Sequence, residues 1–324
     1  MYEIQQDVSI TRINPADTTY QISSPCEILQ LTGSLEAIGL INPPILLHDG
    51  KKLKIISGFR RISAIRQLGW PELSARILPD QTSHLTCVQI AISENSYLRN
   101  LDIVEQARAL QLLKSCIDDQ GDLIASASKL GLPLNPSLIE KLDMVNGMHS
   151  VLRNGLTIGA IALPSALKLY HWDDQDAARQ MGQLLIELNM SLNRQREMIG
   201  WMEGILAREN IKFYNIIESL GIDKILEDHN YDRRQKTDAI RFFLKKRRYP
   251  AIADMETRYH ALTKKITLPA GCHLIPPAFF EGTVFSITID FSTLSQLDER
   301  LDGLKRLSQG KELQRLLSFA ALDQ

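Results

Sequence analysis

Apolar residues in the first eighty positions switch between the two-residue period of strands and the longer period of helices. EILQLTGSLEAIGL has helical period and ends at Gly39, and FRRISAIRQLG has it again and ends at Gly69. Between these helices, PPILLHD and KLKIIS are short apolar runs, and the Asp49-Gly50 pair that joins them predicts a β-hairpin. LSARIL and LTCVQIAIS are predicted to be further strands.

Beyond residue 103 the helical period dominates. It continues to about residue 211, and it returns after a connector in the basic segment RRQKTDAIRFFLKKRR and in a second helix that ends near Lys265. CHLIPPAFF and TVFSITIDF predict two strands joined by Glu281-Gly282, and LSQLDERLDGLKRL predicts a final amphipathic helix. We therefore predict an α+β chain in four parts: a mixed domain 1–103, a helical domain 104–211, a connector with the basic helix 212–265, and a strand–strand–helix lobe 266–324.

Composition narrows the classes of function. A chain of 324 residues with 44% hydrophobic residues is expected to form more than one domain. The net charge of −1 excludes a strongly basic nucleic-acid coat but leaves room for a local basic patch. The four cysteines lie far apart, and neither a signal peptide nor a bilayer-length apolar run is present, so we expect a cytoplasmic protein without a membrane partner.

The clearest candidate chemistry lies in the segment SGFRR, where the return strand of the hairpin turns into a helix. Arg60 and Arg61 fall in the first helical turn, directly after Gly58. Free N–H groups and the helix dipole favour phosphate at such a place, and two adjacent cations are unfavourable there unless an anion is bound. Paired guanidinium groups can hold phosphate oxygens through two hydrogen bonds each. The alternative is an exposed, solvated pair, or an arginine that pairs with a carboxylate.

Three segments, SLEAIGLINPPILL, SGFRRISAIRQLGW and ISENSYLRNLDIVEQARAL, resemble the N-terminal domain of the ParB family in their order and spacing. This family comprises bacterial and plasmid partition proteins, and its fold is shared with sulfiredoxin. Its Gly-x-Arg-Arg-x-x-Ala box is matched by Gly58, Arg60, Arg61 and Ala64. The resemblance implies that this box holds the triphosphate of CTP.

A second box of the family, Glu-Asn-x-x-Arg, is matched by Glu94, Asn95 and, one residue late, Arg99. The resemblance implies that Glu94 binds Mg²⁺ and that Asn95 and Arg99 close the nucleotide site. The family usually has Glu after the Gly of the first box, where this chain has Phe59. We therefore expect nucleotide binding with at most weak CTP hydrolysis. The same loop lacks the Cys nucleophile of sulfiredoxin, so we expect no sulfiredoxin chemistry.

The segment IASASKLGLPLNPSLIEKLDMV is similar to the family's helix-turn-helix. Gly131 has the spacing of the turn, and Asn135 is predicted to cap the second helix. That helix is acidic on balance, although a helix that reads the major groove normally carries Arg, Lys, Asn or Gln. Two interpretations stay open: a DNA reader that includes Lys141, or a degenerate motif kept for structure.

Basic residues concentrate between residues 233 and 248, with Asp238 as the only acidic residue of the segment. Such a helix can bind DNA phosphates without reading sequence. The residues predicted to do so are Lys245, Lys246, Arg247 and Arg248. The alternative is a solvated face around an apolar strip.

The C-terminal lobe is similar to the small dimerisation domain of partition proteins. The resemblance as a whole implies a nucleoid-associated homodimer that binds DNA, responds to CTP and is a possible partner of a ParA-like ATPase. The alternative is an enzyme on the same fold, a metal-dependent nuclease or a small-molecule kinase. Its metal would be held by Glu94, Asp102 and Glu105.

Overall fold

A computed structural model describes residues 4–24, 28–264, 266–277, 280, 282 and 284–322. The chain folds into two compact units, residues 1–196 and 197–324. The predicted α+β class is confirmed, since both helices and two separate sheets are present. The division into four parts stays a prediction.

The first unit contains a four-stranded sheet. Its strands are β1 (Ile4–Ser9), β2 (Ile45–Asp49), β3 (Lys52–Ser57) and β4 (Glu72–Leu78), in the spatial order β1-β4-β2-β3. Strand β4 is antiparallel to β1 and parallel to β2, while β2 and β3 form the predicted antiparallel hairpin. Gly50 has a φ of 62° in the turn, a conformation that glycine adopts without steric cost.

The helices of the first unit are α1 (Leu29–Ile38), α2 (Phe59–Gln67), α3 (His84–Ser96), α4 (Ile103–Lys114), α5 (Gln120–Lys129), α6 (Pro136–Gly147), α7 (Ser150–Thr157), α8 (Leu163–Tyr170) and α9 (Gln175–Leu188). Helix α10 (Leu192–Glu209) begins in this unit and ends in the second. Helices α1 and α2 end at Gly39 and next to Gly69, as predicted, and both glycines have positive φ.

The prediction of a strand for LTCVQIAIS is wrong, because this segment lies in helix α3. The Ser83 side chain accepts a hydrogen bond from the backbone N–H of Thr86 and caps the helix. The residues that α3 buries are spaced one, three and four apart, as one face of a helix requires: Cys87, Val88, Ala91 and Ile92.

The two faces of β4 have different roles. Leu73, Ala75 and Ile77 are buried in the same apolar cluster as residues of α1 and α2. Because successive side chains of a strand point to opposite faces, Arg76 lies on the other face. There it forms an ion pair with Glu94 of α3, at 3.2 Å.

Helices α5 and α6 contain the segment that is similar to a helix-turn-helix. Gly131 follows α5 with a φ of +75°, and the Asn135 side chain accepts the backbone N–H of Leu138, as predicted for an N-cap. Lys141 is exposed on α6. The geometry is therefore compatible with either interpretation of the motif.

The second unit continues with α11 (Phe213–Leu220), α12 (Ile222–Glu227), α13 (Arg233–Arg248), α14 (Pro250–Thr263), β5 (Cys272–Ile275), β6 (Ser286–Ile289), α15 (Leu294–Ser308) and α16 (Lys311–Leu322). Strands β5 and β6 pair in antiparallel fashion, as predicted. Glu281 of the predicted turn lies outside the described residues. Helix α16 was not predicted, and its fully buried Leu316 joins Tyr259 and Ile266 in an apolar cluster.

The start of α4 is fixed by a buried carboxylate. Asp102 and Glu105 form a reciprocal capping box, and Glu105 is only 3% exposed. Glu105 also accepts the backbone N–H of Ser24 and two hydrogen bonds from Arg99, at 2.5 and 2.7 Å. Burial alone would raise the pKa of this carboxyl, but the hydrogen bonds from Arg99, Ser24 and Asp102 outweigh it and lower the pKa.

Replacing Glu105 with Gln is expected to lower the free energy of unfolding at neutral pH by about 1.5–3 kcal/mol, because a charge-assisted pair is lost. A lowered carboxyl pKa stabilises the fold above the pKa of the unfolded state, and this contribution is lost as the pH falls through the folded pKa. The difference between wild type and variant should therefore shrink in acid, below about pH 4.3.

Urea titrations between pH 3 and pH 7 measure this difference. The exposed Glu140 on α6 provides the matched control variant, Glu140→Gln. A Glu105→Gln variant as stable as that control at pH 7 would show that the charge of Glu105 contributes nothing to stability.

Candidate functional site

Gly58 sets the geometry between β3 and α2. It has a φ of 100°, and a Cβ atom at this position would lie 2.7 Å from the Cβ of Pro44. Only glycine fits such a contact without displacing backbone. The structure therefore gives Gly58 a steric role against Pro44, beside its predicted role in phosphate approach. No side chain caps the first turn of α2, so its N–H groups are free of intrahelical partners.

Arg60 and Arg61 differ in their surroundings. Arg60 is exposed and has no ion-pair partner among the described residues. Arg61 is half-buried, and its Nη1 donates to the backbone oxygens of Asn42 at 2.5 Å and Pro43 at 3.3 Å. Burial lowers the pKa of Arg61, while the nearby Glu94 carboxylate opposes this shift. Arg61 is thus fixed by the protein, whereas Arg60 can move to meet a ligand.

Arg76 is a third arginine at the same place, and it belongs to neither of the motifs that predicted the site. With Arg60, Arg61 and Glu94 it lines a cleft of about 700 Å³. The available signal was a single charged residue inside the otherwise apolar strand segment LSARIL. Three guanidinium groups against one carboxylate make this cleft a better site for an anion than for a bare cation.

A smaller cleft of about 170 Å³ shares Arg60, Arg61 and Glu94 with the larger one. Its walls include every residue that the sequence predicted for the nucleotide site: Gly58, Arg60, Arg61, Glu94, Asn95 and Arg99. The fold therefore brings the two boxes together, one from the start of α2 and the other from the end of α3.

Asn95 and Arg99 are held by the protein. The Asn95 side-chain amide donates to the backbone oxygen of Ala91 at 2.8 Å. Arg99 donates two hydrogen bonds to the buried Glu105, which balances its charge. Both residues line the smaller cleft, but their contacts here are structural, so their predicted role in closing the site stays a prediction.

Phe59 stands in the loop at the position where the resemblance led us to expect a carboxylate. Its ring packs against the apolar cluster between the sheet and α1 and α2. The position therefore serves the core, and the loop has no carboxylate of its own.

The predicted metal ligands of the enzyme alternative do not assemble. Glu94 pairs with Arg76, Asp102 caps α4, and Glu105 pairs with Arg99. Within the described residues, no group of three or more His, Cys, Asp or Glu side chains could hold a metal ion. Glu94 is the one carboxylate among the residues that line the two clefts. It suits Mg²⁺ that arrives with phosphates, because Mg²⁺ commonly takes one or two carboxylates and completes its shell with phosphate and water.

The basic helix α13 is partly neutralised by carboxylates of its neighbours. Lys245 pairs with Glu256 at 3.0 Å, and Arg247 pairs with Glu209 at 2.7 Å. The Arg248 guanidinium stacks on the ring of Tyr249, 4.7 Å from its centroid. Lys246 is exposed and has no ion-pair partner among the described residues. Of the four residues predicted to bind DNA, Lys246 is therefore the best placed.

No helix within the described parts of the chain combines the length and the apolar character needed to cross a membrane.

Comparison with known proteins gives short but consistent matches. No protein-family model matches the chain. A stretch of 84 residues is 33% identical to a probable chromosome-partitioning protein ParB from Coxiella burnetii and covers 26% of this chain and 28% of that protein. A stretch of 89 residues is 33% identical to a nucleoid occlusion protein from Oceanobacillus iheyensis and covers 27% of this chain and 30% of that protein. The matches thus span less than a third of either relative.

Solved structures resemble the chain only distantly. A truncated ParB from Caulobacter crescentus in complex with the centromeric parS site is 16% identical, with a TM-score of 0.33 over 59% of this chain and 96% of that one. The same protein with CTP-gamma-S is 16% identical, with a TM-score of 0.26 over 56% of this chain and 98% of that one. Likeness at these scores supports no further argument. Over about a quarter of its length the chain is therefore similar in sequence to a ParB partition protein and to a nucleoid occlusion protein.

Proposed function

We propose that the chain binds a nucleoside triphosphate at the start of α2, and that CTP is the first candidate. The observation that carries the proposal is the meeting of Arg60, Arg61 and Arg76 in one cleft beside the uncapped helix N-terminus. Backbone N–H groups and guanidinium forks are complementary to phosphate oxygens. The resemblance to the ParB family, rather than any feature of the cleft, points to cytosine as the base.

Arg60 and Arg61 have distinct parts in this binding. Arg61, anchored on the backbone of Asn42 and Pro43, presents a fixed charge, while the exposed Arg60 closes on the phosphates from solvent. Mg²⁺, when it accompanies the nucleotide, would be held by Glu94 and would neutralise phosphate charge. Because Phe59 leaves the loop without a carboxylate, we propose a site in which binding outlasts hydrolysis.

Replacing Arg60 with Ala is expected to weaken nucleotide binding about tenfold to hundredfold, since one charge-assisted hydrogen-bonded pair is lost. Stability should not change, because Arg60 is exposed. Calorimetry with CTP, ATP and GTP, each with Mg²⁺, measures the affinities.

The exposed Arg12 provides the control variant, Arg12→Ala, which should bind as wild type does. Replacing Arg61 is a less direct test, because it also releases the backbone of Asn42 and Pro43. The proposal fails if no nucleotide binds at millimolar concentration with DNA present or absent. It also fails if Arg60→Ala and Arg12→Ala bind equally well.

The second part of the proposal is a nucleoid-associated, DNA-binding homodimer in partition or a related organisation of DNA, with a ParA-like ATPase as its possible partner. The support is the partial sequence similarity to a ParB protein and a nucleoid occlusion protein, together with exposed cations on two helices, Lys141 on α6 and Lys246 on α13. DNA binding that depends on such cations is sensitive to salt, because each phosphate contact releases counterions.

Replacing Lys246 with Gln is expected to reduce the log–log slope of DNA affinity against salt by about 0.9, the value for one phosphate contact. Replacing Arg247 with Gln should act differently. It breaks the pair with Glu209 and should lower the free energy of unfolding. Fluorescence anisotropy at several salt concentrations measures the slope, and thermal unfolding measures stability.

The exposed Lys52 on β3 provides the control variant, Lys52→Gln, for the loss of one positive charge. Equal slopes for Lys246→Gln, Lys52→Gln and wild type would mean that α13 is only a solvated face.

The homodimer is proposed to form through the C-terminal lobe. Helices α14 and α16 cover part of its apolar surface, since Tyr259 of α14 and Leu316 of α16 are buried in one cluster with Ile266. Other apolar side chains are still exposed: Val284 at 75%, Phe291 at 53% and Leu294 at 77%. Large apolar side chains exposed in this way are candidates for burial in an interface between two copies of the chain.

Replacing Leu294 with Glu is expected to convert the dimer to a monomer, because a charge would be buried in an apolar interface. The matched control is Ser295→Glu, which adds the same charge to the neighbouring exposed position of α15. Light scattering measures the mass. A monomeric wild type, or a Leu294→Glu variant that is still dimeric, would contradict the proposal.

A further inference from the structure

Glu94 already forms an ion pair with Arg76, one of the three arginines of the cleft. Its Oε1 lies 3.2 Å from Nη2 of Arg76, and the two side chains are 28% and 33% exposed. The same carboxylate acts on Arg61, where it opposes the lowering of the pKa by burial. Glu94 is therefore electrostatically part of the arginine cluster before any ligand arrives.

A phosphate group and this carboxylate have the same chemistry toward a guanidinium. The carboxylate is planar and the phosphate is tetrahedral, but both are oxyanions that accept hydrogen bonds from paired N–H groups. An incoming polyphosphate is thus in competition with Glu94 for Arg76. It is also repelled by the Glu94 charge, since like charges a few ångströms apart at a protein surface cost on the order of 1–4 kcal/mol.

A divalent cation reverses the sign of this interaction. A carboxylate that repels a bare polyphosphate attracts one that carries Mg²⁺, because the ion is the largest local charge. The same side chain then discriminates between the free polyanion and its metal complex.

We propose that Glu94 is an internal counter-ion that a metal-bound polyphosphate displaces from Arg76, and that Arg76 is a third phosphate-binding arginine. In this arrangement Glu94 makes the site selective for magnesium-bound over metal-free polyphosphate. The inference rests on the proposed function of the cleft and extends it to a choice between two forms of the ligand.

The test compares three variants with wild type by calorimetry: Glu94→Gln, Arg76→Gln and the control Glu140→Gln, which removes the same charge from exposed α6. The ligands are tripolyphosphate in EDTA, and CTP with and without Mg²⁺. Glu94→Gln is expected to bind metal-free tripolyphosphate about tenfold more tightly than wild type, since a repulsive charge is gone. It should also bind CTP with little dependence on Mg²⁺.

Arg76→Gln is expected to weaken all three ligands about tenfold or more, since one guanidinium is lost. Arg76→Lys keeps the charge but not the fork, and should recover only part of the affinity. Thermal unfolding checks that each variant is folded. If Arg76→Gln does not fold, Arg76→Lys takes its place in the comparison with wild type.

Two results would overturn the inference alone. In the first, wild type binds CTP, but Glu94→Gln binds metal-free tripolyphosphate no more tightly than wild type does. In the second, replacing Arg76 by Gln, or by Lys if the Gln variant does not fold, leaves every affinity unchanged. If Glu94→Gln instead loses only the effect of Mg²⁺, Glu94 is a metal ligand and no counter-ion. If neither wild type nor Glu94→Gln binds any of the ligands, the proposed function fails together with the inference.

Discussion

The candidate site depends on one close contact, that between Gly58 and Pro44. The left-handed conformation of Gly58 and the absence of a side chain let the turn between β3 and α2 pack directly on Pro44. This contact fixes where α2 begins and in which direction its first N–H groups point. Arg61 then reaches back to the carbonyls of Asn42 and Pro43, so the guanidinium and the turn hold each other in place. A larger residue at position 58 would move the start of the helix and both arginines with it.

Charge in this protein is organised by local balance rather than by net charge. The chain as a whole carries −1, yet one cleft gathers three arginines around a single carboxylate. Arg99, five positions after Glu94 in the sequence, is neutralised by the buried Glu105. Its charge therefore contributes to the stability of the fold. On α13 the same logic separates Arg247, which is engaged by Glu209, from the exposed Lys246. Whether a cation can serve a ligand is therefore decided by the carboxylates that pack beside it.

Much of the local structure could be predicted from the sequence, because its signals are local. The Asp-Gly turn, the glycines that end α1 and α2, and the Asn135 cap all act within a few residues. The α3 segment was mistaken for a strand, since a short apolar run rich in Val and Ile fits both periods. The segment is helical because one of its faces is buried against the sheet, and the sequence pattern alone does not show that burial.

The composition of the site was harder to predict than the fold around it, because its charges come from distant segments. The motifs indicated Arg60 and Arg61, and the fold brought them to Glu94 and Asn95. Arg76 belongs to no motif, and its importance follows only from the alternation of β4 and the position of α3 over that face. Nor could the sequence show that Glu209 and Glu256 neutralise α13, since 38 residues separate Glu209 from Arg247.

Phe59 shows how a motif can keep its geometry while its chemistry changes. The ring packs against the apolar cluster that α2 helps to form, so the position at which the resemblance led us to expect a carboxylate contributes to the core here. Arg60 and Arg61 still lie in the first turn of α2, directly after Gly58, and Arg61 is held there by the Asn42 carbonyl. The carboxylate that remains in the cleft comes from α3 instead, and it arrives paired with Arg76. The arginines of α2 and the carboxylate of the cleft thus lie on separate elements of the fold.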